Sequence, residues 1–187
     1  MSSKKILITG ITGQDGIFLT NKILKDDESV VVAGFSRNKN EDTFYKKLNY
    51  LNKNSDLERI NLLNINQKDY SELNSFIESF QPSCVYNLTG PSSVYDSLHK
   101  PVETSKIMIG NFMNLVNSLI ENENYCNFFH PSSSEMFNQN TSLPLDEKSE
   151  LNPTSSYALS KLYIHKFIDI LREKYDWKFS NVILFNH

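Results

Sequence analysis

Cysteine is nearly missing from this chain. There are two in 187 residues, Cys84 and Cys126, each inside an apolar stretch ("SCVYNL", "YCNFF") and neither at metal-ligand spacing. That excludes a disulfide framework or a cysteine metal site and leaves two reduced core thiols, as expected of a cytoplasmic protein. An excess of basic charge is missing too. With 19 Lys and Arg against 22 Asp and Glu the net charge is −3, which argues against general binding to nucleic acid or to an anionic membrane. No apolar run has the length of a membrane-spanning helix, and the "ILIT" that follows "MSSKK" is too short for a signal-peptide core. Glycine is scarce as well: there are six, and three of them, Gly10, Gly13 and Gly16, fall inside "ITGITGQDG".

What is present reads as one soluble globular domain over residues 1–187, with 39% apolar and 22% charged residues. Short apolar runs alternate with longer stretches of helical period. "KILITG", "SVVVAGF", "LERINLLNI", "CVYNLTG", "CNFFHP" and "FSNVILFN" read as strands. Asp15 to Lys25, "TFYKKLNYL", "YSELNSFIESF", Val102 to Ile120 and "SSYALSKLYIHKFIDILREKY" read as helices. Such alternation predicts an α/β protein with a parallel sheet and helices on both faces.

The glycine cluster joins the first strand to the first helix, where unpaired N–H groups and the helix dipole favour an anion. Gly10 then permits the tight turn, Gly13 lets a pyrophosphate approach, and Gly16 lets the helix pack on the strand. The plainer alternative is a strand-to-helix turn with no ligand. The second strand ends "AGFSRN", with no acid to hold a ribose and with Arg37 able to meet a 2′-phosphate. That favours NADP over NAD, although Arg37 can also be a solvated loop residue.

"YALSK" places Tyr157 and Lys161 four apart on one helix face, where an ammonium, together with a positive nicotinamide ring, would stabilise a phenolate. "PSSSEMF", after the fifth strand, brings Ser133 and Glu135 to the carboxyl edge, where open parallel sheets bind ligands. Ser133 can hydrogen-bond a substrate hydroxyl and Glu135 adds a carboxylate. Without Tyr157 and Lys161 the stretch would read as a Ser-rich turn.

GxxGxxG, a Ser after the fifth strand and YxxxK together resemble the extended short-chain dehydrogenase/reductase superfamily. "GITGQDG", "YNL" with "SSV", "SSSE", "YALSK" and "ILFNH" are similar to the GDP-mannose 4,6-dehydratase family in particular. The resemblance spans nearly the whole chain and implies a Rossmann-type doubly wound fold whose carboxyl-terminal substrate domain is largely absent. It implies catalytic roles for Ser133, Glu135, Tyr157 and Lys161. It also places Gly10, Thr12, Gly13, Gln14, Asp15, Gly16, Arg37, Asn64, Ile65, Leu88, Thr89, Gly90, Ser92 and His187 at the cofactor, together with Tyr157 and Lys161. Ser92, Ser133, Glu135, Tyr157 and Asn186 fall on substrate-contacting positions. Four departures stand out: Asn64-Ile65 for the family's Asp-Leu, Arg37-Asn38 for paired arginines, Ser133 for Thr, and Glu103 for a Tyr.

The activity implied is dehydration of GDP-mannose or a related nucleotide sugar through a 4-keto intermediate, with internal hydride transfer through NADP. Tyr157 takes the 4-hydroxyl proton and Glu135 removes the C5 proton. A homodimer or homotetramer, and little or no turnover by the 187-residue chain alone, are further expectations. Two alternatives remain open: a UDP-glucuronate decarboxylase or other NAD(P)-dependent nucleotide-sugar dehydratase or epimerase, and a non-catalytic NADP-binding module.

Overall fold

The computed structural model describes residues 4–35, 41–51, 57–91, 94–137 and 143–185. Of the sequence-predicted site residues, Arg37, Ser92, Asn186 and His187 lie outside them.

The strands are β1 (Lys5–Thr9), β2 (Val31–Phe35), β3 (Ile60–Leu63), β4 (Cys84–Asn87), β5 (Asn127–Ser133) and β6 (Phe179–Leu184). They form one six-stranded sheet in the order β3-β2-β1-β4-β5-β6, and every neighbouring pair runs parallel. The helices are α1 (Gln14–Asp26), α2 (Glu41–Leu51), α3 (Tyr70–Phe80), α4 (Val94–His99), α5 (Pro101–Glu121) and α6 (Ser156–Tyr175).

Strand periodicity sorts the core into two layers. Ile6 and Ile8 of β1 point to one face and pack with Ile17 and Leu24 of α1 and Phe44 and Leu48 of α2. Leu7, between them, points to the other face, where Leu73 and Ile77 of α3, Phe112 and Leu115 of α5, and Ile164 and Ile168 of α6 cover the sheet. The strand order reverses between β1 and β4, so the helices that follow these two strands leave toward opposite faces and open a crevice at the carboxyl edge.

Local chemistry sets the helix ends. Asp69 caps α3 by accepting the Glu72 N–H, and Ser155 caps α6 by accepting the Ala158 N–H. Periodicity predicts a single helix from Val102; the structure adds α4 before it. Pro101 cannot donate into a preceding helix and disfavours helical geometry at Lys100, so α4 stops at His99 and α5 restarts with Pro101 in its first turn.

The cysteines sit at the margin of the core and not inside it. Cys84 packs against the α1/α2 layer, and Cys126, just ahead of β5, packs against the opposite one. Both are free thiols, and burial pushes both up from the usual thiol range.

Candidate active site

The glycine turn is shaped by close approach. Gly10 has φ +71°, and a Cβ there would come within 2.9 Å of the Leu88 carbonyl. A Cβ on Gly16 would come within 2.6 Å of the Gly10 oxygen and of Ile11. Gly13 donates its N–H to the Gly10 oxygen at 2.9 Å and stands at the N-cap of the thirteen-residue α1, with no side chain bonded to the helix end. The exposed donors of that first turn are thus left for an external acceptor.

A cavity of about 370 Å³ opens in front of this turn, lined by Gly10, Thr12, Gly13, Phe35, Ile65, Asn66, Gln67, Lys68, Leu88, Thr89, Gly90, Ile107 and Asn111. Its far wall is held from below. The Thr89 N–H donates to the Thr9 hydroxyl at 3.2 Å, and that hydroxyl donates to Asn87 Oδ1 at 2.8 Å. The Asn87 amide nitrogen meets His130 Nδ1 at 3.2 Å, so Nδ1 accepts and the imidazole proton is on Nε2. Asn111 contributes a buried Oδ1 with no hydrogen-bond partner among the described residues.

A second cavity, of about 290 Å³, abuts the first through Leu88, Thr89 and Gly90. Asp15, Pro91, Pro131, Ser132, Ser133, Ser134, Glu135, Tyr157, Lys161, Leu184 and Phe185 complete its lining. Here β5 and α6 meet. Lys161 donates from Nζ to the Pro131 carbonyl at 2.7 Å and lies 5.9 Å from the centre of the Tyr157 ring. Burial brings its pKa down to about 8. The Ser133 hydroxyl accepts the Glu135 N–H at 3.2 Å, which starts a short turn from Ser134 to Met136 and leaves Glu135 exposed at the mouth.

Tyr157 is a largely buried phenol. Burial pushes its phenol above the usual tyrosine range, the Glu135 charge pushes the same way, and a hydrogen bond with Ser133 offsets only part of this. The phenol is therefore protonated at neutral pH in this state.

The structure gathers Ser133, Glu135, Tyr157 and Lys161 around one cavity. Gly10, Thr12, Gly13, Ile65, Leu88, Thr89 and Gly90 line the other, and Asp15, in the first turn of α1, lines the second cavity. Three of the described positions named from the resemblance line neither cavity: Gly16 is buried beneath the turn against Gly10 and Ile11, and Gln14 and Asn64 lie to the side. Gln14 faces a groove with Phe18 of α1 and Tyr50 of α2, because one step along a helix turns the side chain away from the turn's mouth. Asn64 is exposed outside the cavity while Ile65 lines it, as alternation along extended backbone requires. Sequence reasoning missed Asn66, Gln67 and Lys68 on the same wall. Gln67 is buried and reaches the Thr89 hydroxyl at 3.4 Å, and its carbonyl accepts the Asn114 amide at 2.8 Å. The only signal for them was the polar run "NQK" following the third strand.

A doubly wound parallel sheet with its glycine turn at the switch point defines a Rossmann-type protein. The fold is shared with solved structures. The UDP-Glc/GlcNAc 4-epimerase of Campylobacter jejuni superposes with TM-score 0.83 at 17% identity, over 97% of this chain and 53% of its own. The UDP-glucose 4-epimerase of Brucella ovis, solved in complex with NAD, gives TM-score 0.80 at 16% identity, over 98% and 52%. The chain belongs to the GDP-mannose 4,6-dehydratase family, whose profile matches residues 7–187. It is 31% identical to the GDP-mannose 4,6-dehydratase of Sinorhizobium fredii over 100% of this chain and 54% of that protein. It is 32% identical to GDP-mannose 4,6 dehydratase 1 of Arabidopsis thaliana over 98% and 52%. The chain thus spans about half the length of the curated relatives it matches.

Proposed function

We propose that this chain is the cofactor-binding and proton-transferring half of a GDP-mannose 4,6-dehydratase. The observation that carries the reading is the carboxylate of Glu135 on the same cavity as Ser133, Tyr157 and Lys161. Oxidation and reduction of a sugar need the last three; eliminating water needs a base as well.

The residues present fit a dinucleotide. The first turn of α1 has no side-chain cap, Gly10 and Gly16 hold the turn where a pyrophosphate would lie, and the unpartnered Asn111 Oδ1 offers an acceptor on the cavity wall. Among the described residues this cavity has no acidic lining, and Lys68 adds a cation. With Arg37, these support NADP over NAD. When bound, the nicotinamide supplies a reversible acceptor for the sugar's C4 hydride.

The chain's own groups move the protons. Ser133 holds the sugar's 4-hydroxyl, and Tyr157 takes its proton once positive charge beside the ring brings the phenol into range. Lys161, mostly charged at neutral pH with a pKa of about 8, supplies part of that charge. The C4 carbonyl acidifies the C5 proton, and Glu135 removes it and passes it to the C6 hydroxyl, which leaves as water; return of the C4-derived hydride to C6 and of a proton to C5 would then give the 4-keto-6-deoxy sugar. Contacts to the nucleotide diphosphate would come from a carboxyl-terminal half. Without them the sugar is not oriented, and a loss of ~7–11 kcal/mol of barrier lowering puts turnover below detection.

We also infer a homodimer or homotetramer. Leu159, Tyr163 and Ile170 are exposed along one stripe of α6, and Val102 is exposed on the neighbouring α5.

Two experiments test the proposal. Calorimetry is expected to show NADP(H) binding about ten- to a hundredfold more tightly than NAD(H), the worth of a charge-assisted contact; equal affinities would remove the preference. Joined to the carboxyl-terminal half of the Sinorhizobium fredii relative, the chain is expected to yield a 4-keto-6-deoxy sugar nucleotide from GDP-mannose. Glu135→Gln in that chimera should stop solvent deuterium entering C5, and unchanged deuterium uptake would give the base role to another residue.

A further inference from the structure

Helix α6 places Tyr157, Lys161 and His165 at intervals of four, on one face. Strand β5 presents three consecutive residues to that face. Tyr157 is hydrogen-bonded with Ser133, Lys161 donates to the Pro131 carbonyl, and His165 Nδ1 lies 2.9 Å from the Ser132 hydroxyl. Only the first two of these helix residues belong to the machinery described above.

Asn181, on the edge strand β6, closes the third contact into a triangle. The Ser132 hydroxyl donates to Asn181 Oδ1 at 2.7 Å, and the Asn181 amide nitrogen lies 2.9 Å from His165 Nδ1. The same nitrogen also approaches the His165 carbonyl, at 3.4 Å. The single Ser132 proton goes to Asn181, so Nδ1 is bound either as acceptor of the Asn181 amide or as donor to Ser132 Oγ, and in both tautomers the three side chains form one network. Burial favours the neutral imidazole. Ser132 is 2% exposed, so this corner of the triangle is shielded from water.

Hydrophobic packing does not fix this geometry unaided. Ile164 and Ile168 bury the same helix against the sheet, which sets its distance. Apolar contact is non-directional, however, and leaves slide and rotation along the sheet soft. Hydrogen bonds are directional and constrain both. Lys161 is sensitive to such a slide, because its hold on the Pro131 carbonyl is a single contact and its lowered pKa depends on excluding water.

We propose that His165 is a positioning residue: through Ser132 and Asn181 it locks α6 in rotation and slide against β5 and β6, and so holds Lys161 at the catalytic cavity. The proposal rests on the reading of Tyr157 and Lys161 as the working pair. It also ties the end of β6, where Phe185 lines the same cavity, to the helix that carries that pair.

The test titrates the lysine Nζ groups of the 187-residue chain by nitrogen-15 NMR and, separately, measures NADPH affinity by fluorescence. In the unaltered chain Lys161 is expected to titrate below the ordinary lysine range, near 8. His165→Leu keeps the volume and removes the hydrogen bonds; it should raise the Lys161 midpoint by roughly one pH unit as water reaches the ammonium. NADPH binding should weaken roughly three- to thirtyfold, the usual span for a supporting network. His165→Asn, whose amide can both accept and donate, should restore both. Ile168→Val, a packing change on the same helix, should leave the Lys161 midpoint in place. Should His165→Leu not fold, Ser132→Ala must show the same rise. An unmoved midpoint in the foldable variant, or an equal rise in Ile168→Val, overturns the proposal. Failure of the unaltered chain to bind NADPH would instead overturn the cofactor reading, and the lysine titration would still decide the role of His165.

Discussion

Lys161 shows the tension between stability and chemistry in a single side chain. Its ammonium is buried, and its pKa falls from 10.5 to about 8. The folded pKa lies below the unfolded one, so the burden on the fold is full below pH 8 and is relieved as the pH rises toward 10.5. At neutral pH that burden comes to about 3 kcal/mol. Lys161→Met is therefore expected to raise the denaturant midpoint, by up to about 3 kcal/mol in stability, while weakening NADP(H) binding. Urea titrations of both proteins at pH 7 check this, and a less stable variant would show that the Pro131 contact outweighs the burial cost. Tyr157 is the complementary case, since burial holds it as a neutral phenol until charge arrives beside it.

At the scale of elements, the glycines divide by what surrounds them. In the β1–α1 turn a methyl at Gly16 would meet main-chain atoms of Gly10 and Ile11 at 2.6 Å. The backbone must give way, so Gly16→Ala should cost about 1–3 kcal/mol and loosen NADP(H) binding together with it. Gly110, in the middle of α5, would leave an added methyl with nothing within 4 Å, so its extra backbone entropy serves no packing purpose. Gly110→Ala is expected to stabilise the chain by about 0.5–1 kcal/mol without touching the site. Chemical denaturation of the two variants side by side tests both, and the same sign of change in each would contradict the distinction.

For the whole molecule, pH and self-association follow from the two sides of α5 and α6. On the inner side, His130 is 2% exposed among Asn87, Phe112 and nearby Lys161, and burial holds its imidazole well below the usual histidine range. The unfolded chain takes up that proton near pH 6.5, so stability falls below this pH, by about 1.4 kcal/mol per unit, until the folded pKa is reached. His165, lowered mainly by burial, adds to the slope. Urea midpoints between pH 7.5 and 5.5 should decline, and His130→Gln should flatten the decline. On the outer side, the stripe of Leu159, Tyr163 and Ile170 should make the chain sediment as a dimer or tetramer and Leu159→Glu sediment as a monomer; a monomeric unaltered chain would remove the stripe from this role.

The sequence by itself determined the order of strands and helices, the glycine turn and the grouping of Ser133, Glu135, Tyr157 and Lys161. Each of these is written in local chemistry: period-2 and period-3.6 patterns, caps, and four-residue spacing on a helix. It missed α4, because Pro101 splits a polar stretch whose apolar period is weak, and Asn64 and Gln14, which the family resemblance places at the cofactor, line neither cavity. Only the tertiary structure brought His165, Ser132 and Asn181 together, from residues 33 and 16 positions apart along the chain. It alone decided that burial keeps Tyr157 a neutral phenol and lowers Lys161, and that the two thiols pack with different layers of the core. Burial and long-range hydrogen bonding set these properties, and both depend on which surfaces the folded chain brings together, which no local pattern encodes.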